Sequence, residues 1–308
     1  MQRASVIDIG TNSVKLTIAD LGDNITVVRE DSKITRLGKN VDSNGRLNPE
    51  AIQKTLLAIQ DFVNVSKYDG ASSIVLAGTS ALRDAANGNE LVDAVQSTCG
   101  LDIEIISGDR EATLAFTAIS GDPCIVNDPS IPVAVFDIGG GSTELVWGIG
   151  SELKDHVSIN IGAVRLTERH FKTDPPTDAE FSIAAGDGAD AVRSFFAGKS
   201  ATSSVCGVGG TAATFAALEY SSKDVHGKEV TVDSLRKSLQ RLRSMPLSER
   251  RTLPFLEPER ADIIIAGGAI LIGLMGVLNA SSYRVSLRGM RYGLLLEQMT
   301  RADVKNGN

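Results

Sequence analysis

The chain has too few cysteines for a disulfide scaffold and none spaced to hold a metal. There are three, Cys99, Cys124 and Cys206. They are scattered, odd in number and without a CxxC or Cys/His metal spacing, which reads as reduced thiols in a cytoplasmic protein. Positive charge is in deficit: 31 Lys and Arg against 38 Asp and Glu leave a net charge of -7. A general nucleic-acid binder carries a basic face, so that class is excluded, although a local pocket can still hold a linear or small polyanion. Long apolar runs are missing too. The run Ile263–Leu278 has 16 residues, four of them glycine, short of the roughly 20 needed to cross a bilayer. It reads as a buried, close-packed helix, and no membrane partner is expected. The opening MQRASVIDIG lacks the apolar core and small-residue cleavage site of a secretion signal. Aromatic residues are few and no segment is of low complexity.

What the chain does have is a repeat. DIGTNSVKL, from Asp8, lies without a gap over DIGGGSTEL, from Asp137. Asp, Ile, Gly, Ser and Leu match, at a separation close to half the chain. Around each copy the pattern is strand, tight turn, strand: β-branched apolar runs end in the Asp-Ile-Gly turn, and alternating residues follow. Further strands are expected at NITVVREDSKITRL, SSIVLAG, LDIEIIS, KDHVSINIG, SSVCGVGG and YRVSL. Helices are expected at NPEAIQKTLLAIQDFVNVS, with Asn48 as N-cap and Pro49 in the first position, and at TSALRDAANGNELVDAVQSTCG, which mixes loop and helix. GDREATLAFTAIS, AVRLTERHF, TAATFAALEY, TVDSLRKSLQRLRSM and MRYGLLLEQMTRADV complete the set. One more helix, PPTDAEFSIAAGDGADAVRSFFAG, is expected to start at its prolines and to be weakened by two internal glycines. A hinge is expected near Gly121 to Pro132.

A glycine turn leaves backbone N–H groups unblocked, and such a nest binds phosphate oxygens. An aspartate at the end of the preceding strand can hold Mg²⁺ directly or through water. Two such turns, one from each half of a duplicated α/β unit, can grip one phosphate chain from both sides.

The motifs VIDIGTNSVKL, AGTSALRDAAN, IISGDREATLAF, VFDIGGGSTEL, INIGAVRLTERHF, GVGGTAATFAAL, ERADIIIAGGAIL and SLRGMRYGLLLE, in this order, resemble the exopolyphosphatase / guanosine pentaphosphate phosphohydrolase (Ppx/GppA) family. The resemblance runs from about residue 3 to residue 298. It implies an α/β fold of two duplicated ribonuclease-H-like domains, as in the actin, sugar-kinase and heat-shock-chaperone superfamily, with an inter-domain cleft. The domains would be 1–122, completed by a C-terminal helix at 289–308, and 123–288. It implies hydrolysis of the terminal phosphoanhydride of inorganic polyphosphate or of guanosine pentaphosphate with Mg²⁺ or Mn²⁺, and a homodimer. A catalytically idle protein that binds the alarmone or polyphosphate is the reading from another class. Longer members append a helical His-Asp domain. This chain has the short, two-domain pattern, and His156, His170 and His226, its only histidines, make no such cluster.

The motif positions assign residues to roles. Glu111 takes the place of the family's base. Arg110, where the family has a second acid, is expected to lower the pKa of its neighbour. Glu144 is expected as a second carboxylate at the site, as metal ligand or water-orienting group, and Asp8 and Asp137 as metal ligands. Phosphate oxygens are expected to meet Thr11, Asn12, Ser13, Arg83, Gly139, Gly140, Gly141, Ser142, Thr143, Gly209, Gly210 and Thr211. Arg165, Arg288 and Arg291 are further candidate cations. The basic run Arg236–Arg243 is expected to be the solvated face of an amphipathic helix.

Overall fold

The structure, a computed structural model, describes residues 2–199 and 204–305. Proximity of Cα atoms divides it into two compact units, Met1–Ala118 with Met290–Asn308, and Ile119–Gly289.

The first unit contains β1 (Gln2–Ile9), β2 (Ser13–Leu21), β3 (Ile25–Ile34), α1 (Val41–Asn44), α2 (Pro49–Tyr68), β4 (Ser73–Gly78), α3 (Ser80–Asp84), α4 (Gly88–Cys99), β5 (Ile103–Ile105) and most of α5 (Gly108–Ser120). Its sheet order is β3-β2-β1-β4-β5. β1 to β3 form an antiparallel meander, and β4 lies parallel to β1. The run in β1 is apolar on both faces because both faces are covered. Ile7, Ile9, Val14, Leu16 and Ile18 pack with Ile59, Phe62 and Leu91 of α2 and α4. Ala4, Val6, Ala19 and Leu21 pack with Leu114 of α5 and with Met290, Leu294 and Leu295 of the C-terminal helix. Asn48 caps α2 as expected, its side chain accepting from Glu50 N–H at 2.8 Å.

The second unit repeats the plan with β6 (Pro132–Ile138), β7 (Thr143–Ile149), β8 (Glu152–Ile159), α6 (Ala163–His170), α7 (Asp178–Phe196), β9 (Ser204–Val208), α8 (Gly209–Tyr220), β10 (Glu229–Thr231), α9 (Val232–Arg243), α10 (Leu247–Arg250), α11 (Ile264–Leu278) and β11 (Ser282–Val285). The last helix, α12 (Met290–Lys305), belongs to the first unit. Residues 306–308 of the expected C-terminal helix, and Ser203 of the expected strand, lie outside the described residues. The second sheet runs β10-β11-β9-β6-β7-β8. Read from β8, its first five strands repeat the order and directions of the first sheet, except that β10 is added at the far edge.

The apolar run near residue 270 is α11, buried from Ile264 to Leu271 and again at Gly273, Leu274 and Met275. No described helix is long and apolar enough to cross a membrane. Its glycines let α7 approach. A Cβ at Gly273 would stand 2.7 Å from Ala185 O and Ala189 N, and one at Gly188 would stand 2.8 Å from Ile270 Cα. So α7 is not interrupted by its glycines: one of them is a contact point, and packing outweighs its low helix propensity. Nor does α7 start at its prolines. Thr177 and Glu180 form a capping box, with the Thr177 N–H donating to Glu180 Oε2 at 2.7 Å. Gly186, in the same helix, has open space where its Cβ would be. Gly186→Ala is therefore expected to stabilise by about 0.5–1 kcal/mol, and Gly273→Ala to destabilise by about 1–3 kcal/mol. Urea midpoints that move in the same direction for both variants would contradict this reading of the helix contact.

Candidate active site

The two glycine turns close in the same way. Gly10 N–H donates to Ser13 O at 3.0 Å, and Gly139 N–H donates to Ser142 O at 3.0 Å. A Cβ would lie 3.1 Å from Ser13 O at the first position and 3.2 Å from Ser142 O at the second, so both turns favour glycine there. Each turn fixes the register of its hairpin. Asp8 pairs across strands with Lys15, and Asp137 pairs with Glu144. Opposite residues share one face of the sheet, with Cβ atoms about 4.5–5.5 Å apart. The first copy therefore sets a carboxylate beside an ammonium, and the second sets two carboxylates side by side.

In the first unit, burial pushes the Asp8 carboxyl above the usual carboxylate range, and the charges of Lys15 and Arg291 oppose that shift. Such a group binds its proton more tightly folded than unfolded. It costs no stability well below the unfolded pKa of about 3.9, and the cost grows as the pH rises from there through the raised folded value. Asp8→Asn is thus expected to raise Tm at neutral pH and to change it little near pH 3. An equal gain at both pH values, read by scanning calorimetry, would remove the carboxylate as its source.

Thr11, Asn12 and Ser13 are all buried. Asn12 Nδ2 has no hydrogen-bond partner, so a buried donor is left for an acceptor brought from outside. Thr11 Oγ1 instead lies 2.8 Å from Ser80 Oγ. Arg83, near the end of α3, donates from Nη1 to Ile106 O at 2.7 Å and approaches Glu111 Oε2 at 3.3 Å. Glu111 stands in the first turn of α5, its side chain 13% exposed. Arg110 is not its electrostatic partner as the sequence suggested. It turns to Glu104 and forks onto both carboxylate oxygens of Glu297 on α12. Of the two arginines, Arg83 is the one that pairs with Glu111.

In the second unit Glu144 is buried and accepts from Ser158 Oγ at 2.8 Å. Gly209 adopts φ +77, and a Cβ there would stand 2.0 Å from Asp137 Oδ1. The Asp137 carboxylate thus lies directly against the start of α8, a position open only to glycine. The hydroxyls of Thr143 and Thr211 are used inside the protein, donating to Ile161 O at 2.6 Å and Ile138 O at 2.8 Å. Their O–H groups are therefore not offered to a phosphate. Gly139 O and Gly140 O accept from the first amides of α6, Ala163 and Val164. Arg165 Nε donates to Gly141 O at 2.6 Å. The motif INIGAVR therefore braces the second turn.

Sequence reasoning missed Arg260. Its guanidinium covers the glycine turn at α8: a Cβ on Gly210 would stand 2.3 Å from Nη1. The motif ERADIIIAGG contains it, but nothing local to the motif says that its guanidinium lies over the Gly209–Gly210 turn. Arg291 donates to Leu16 O and Thr17 Oγ1 on β2 and meets Glu30, and Arg288 meets Asp122 at 3.1 Å. In the run Arg236–Arg243, Arg236 is solvated beside Asp233, whereas Arg243 packs over the Phe181 ring at 4.0 Å.

Among the described residues one mixed set of metal-capable side chains lies together: Asp122, Cys124 and His226. It does not suit a metal. Leu287 N–H donates to His226 Nδ1 at 3.2 Å, so a neutral ring carries its proton on Nε2, the nitrogen that faces Asp122 Oδ2 at 3.1 Å. No lone pair remains there, and Arg288 already supplies positive charge to the same oxygen. The ion pair in the cluster is Arg288 with Asp122, and Asp122 Oδ2 and His226 Nε2 make no hydrogen bond.

The family described as Ppx/GppA phosphatase family matches residues 14–302. Exopolyphosphatase 2 of Mycobacterium tuberculosis is 34% identical over 293 residues, 88% of this chain and 89% of the relative. The crystal structure of an Aquifex aeolicus member of the Ppx/GppA family superposes with a TM-score of 0.81 at 31% identity, covering 98% of this chain and 99% of that one. The exopolyphosphatase structure from Cytophaga hutchinsonii, at 22% identity, shares the fold with a TM-score of 0.89 over 97% of this chain and 98% of its own.

Proposed function

The chain belongs to the Ppx/GppA phosphatase family and is a hydrolase, and from that premise we propose that it removes the terminal phosphate of inorganic polyphosphate with a divalent metal. The observation that carries the reading is the Asp137–Glu144 pair, two carboxylates opposite each other beside a glycine turn. Two carboxylates side by side beside a glycine turn supply the oxygen ligands that a hard divalent cation takes. Asp137 and Glu144 would hold Mg²⁺ or Mn²⁺. Asp8, balanced by Lys15 and Arg291, fits that role less well than its sequence position suggests. When bound, the metal would neutralise charge on phosphate oxygens.

The protein's own groups do the rest. In the second unit the backbone N–H groups of Gly140–Ser142 and the Gly209–Gly210 turn with Arg260 above it are offered to phosphate oxygens, the Gly139 N–H being used inside its turn; in the first unit Ser13 and the Asn12 Nδ2 donor are. Arg83 adds charge-assisted bonds to them. Glu111 accepts the proton of the attacking water. Positioning and electrostatics of this kind suffice for phosphoryl transfer, which asks little covalent chemistry of the protein. A cytoplasmic location, supported by the scattered, unpaired cysteines, and a homodimer, supported by the family resemblance alone, complete the proposal.

The test is to incubate the purified protein with polyphosphate or guanosine pentaphosphate and Mg²⁺ and to count released phosphate. Release from polyphosphate that EDTA abolishes and Mg²⁺ or Mn²⁺ restores is expected. Release from guanosine pentaphosphate alone would reassign the substrate, and binding without release would make the chain a sensor. Undiminished turnover in metal-free buffer would end the role of the carboxylate pair.

A further inference from the structure

We propose that the hydroxyl pair of Thr11 and Ser80 is a positioning link that sets the Arg83–Glu111 pair against the first glycine turn; it rests on the hydrolase reading of Arg83 and Glu111. α3 has only five residues, and its N-cap Thr79 makes no side-chain capping bond. A helix of that length does not hold itself. Its start is tied to the glycine turn twice. Thr79 N–H donates to Ile9 O at 3.2 Å, and Ser80 Oγ lies 2.8 Å from Thr11 Oγ1 in a buried setting. Ser80 and Arg83 are three residues apart, so they share one face of the turn of helix. Anchoring Ser80 therefore anchors Arg83, whose Nη1 reaches Ile106 O and Glu111 Oε2.

The other side of Thr11 is held as firmly. The N–H groups of Thr35 and Arg36 both donate to Asn12 O, at 3.1 and 2.9 Å, and Gly38 N–H donates to Thr11 O at 2.9 Å. Arg36 takes φ 56 to do so, a conformation that costs a non-glycine residue energy and persists only when its surroundings impose it. A Cβ on Gly38 would stand 2.3 Å from Thr11 Cγ2. The Thr11 methyl therefore occupies the space that glycine leaves, which turns Oγ1 toward Ser80. The chain of contact runs from the strap at residues 35–38 through Thr11 and Ser80 to Arg83 and Glu111, all within the first unit. Of two facing hydroxyls only one donates to the other, so the pair retains one O–H for an outside acceptor. The Thr11 side chain thus acts first on α3, and Ser80 joins the residues that shape the reaction.

The experiment uses the full-length chain with polyphosphate and Mg²⁺. Ser80→Ala is expected to lower kcat roughly tenfold or more, the penalty of a small misplacement, with KM changed less than about threefold. Ser80→Thr, which keeps the hydroxyl, should stay within about threefold of wild type. In an Arg83→Ala background Ser80→Ala should cost less than about twofold more, because residues acting as a unit are not additive. Hydrogen exchange of the amides at 80–84 should accelerate roughly tenfold in Thr11→Val, a local opening that needs no substrate. The same loss of kcat with and without Arg83, or unchanged exchange at 80–84, overturns the link. Wild-type protein inactive on both polyphosphate and guanosine pentaphosphate would remove the hydrolase reading instead, and the exchange measurement would still decide whether Thr11 holds α3.

Discussion

Glu111→Gln is expected to lower kcat by roughly 10²–10⁴-fold, the usual worth of a general base. Glutamine keeps the shape of the side chain and can still accept from Arg83, but it cannot take a proton from water. Arg83 retains its bond to Ile106 O in the variant, so the fold should lose no more than about 1 kcal/mol, the net worth of one hydrogen bond. KM should stay similar or fall slightly, because one negative charge near the bound phosphates is gone. Single-turnover rates, equilibrium binding of polyphosphate and the melting temperature measure the three quantities. Arg110→Ala is the control. Its guanidinium is committed to Glu104 and Glu297, so kcat should change little. Near-normal turnover in Glu111→Gln would move the base role to Glu144, and an Arg110→Ala enzyme as impaired as Glu111→Gln would restore the sequence-based pairing of those two neighbours.

Asp137→Asn is expected to reduce phosphate release to background at any Mg²⁺ concentration, and the metal's effect on stability should vanish with it. In the wild type a cation at one hundred times its Kd stabilises the fold by about 2.7 kcal/mol, which a thermal melt detects. In Asp137→Asn the melt should be insensitive to Mg²⁺. Asp8→Asn should keep the Mg²⁺ response, because Lys15 and not a second carboxylate stands opposite it. A Mg²⁺-dependent rise in Tm that survives Asp137→Asn but is lost in Asp8→Asn would invert the assignment of the two copies.

Much of this was legible in the chain. The duplicated turn, the strand–turn–strand pattern around it and the run of motifs were local features, so they pointed to the family and the α/β class without any long-range information. The N-cap at Asn48 was legible for the same reason. Glycines inside helices were not, because their use depends on what lies across from them. Gly188 and Gly273 serve the contact of α7 with α11, while Gly186, in the same helix, meets nothing.

At the site, residue types and spacing determined where the two glycine turns lie and that a carboxylate ends each first strand. Partner choice was left to the tertiary structure. Arg110 follows Arg83 in no local pattern, yet only Arg83 reaches Glu111, because α3 and α5 both abut the end of β4 where Gly78 O receives Ile106 N–H. Lys15 and Glu144 occupied matching places in the aligned repeats from the outset. Nothing in the alignment said that these side chains face the aspartates. The hairpin register does, since an antiparallel pair puts opposite residues on one face and a slip of a single residue would send them to the other.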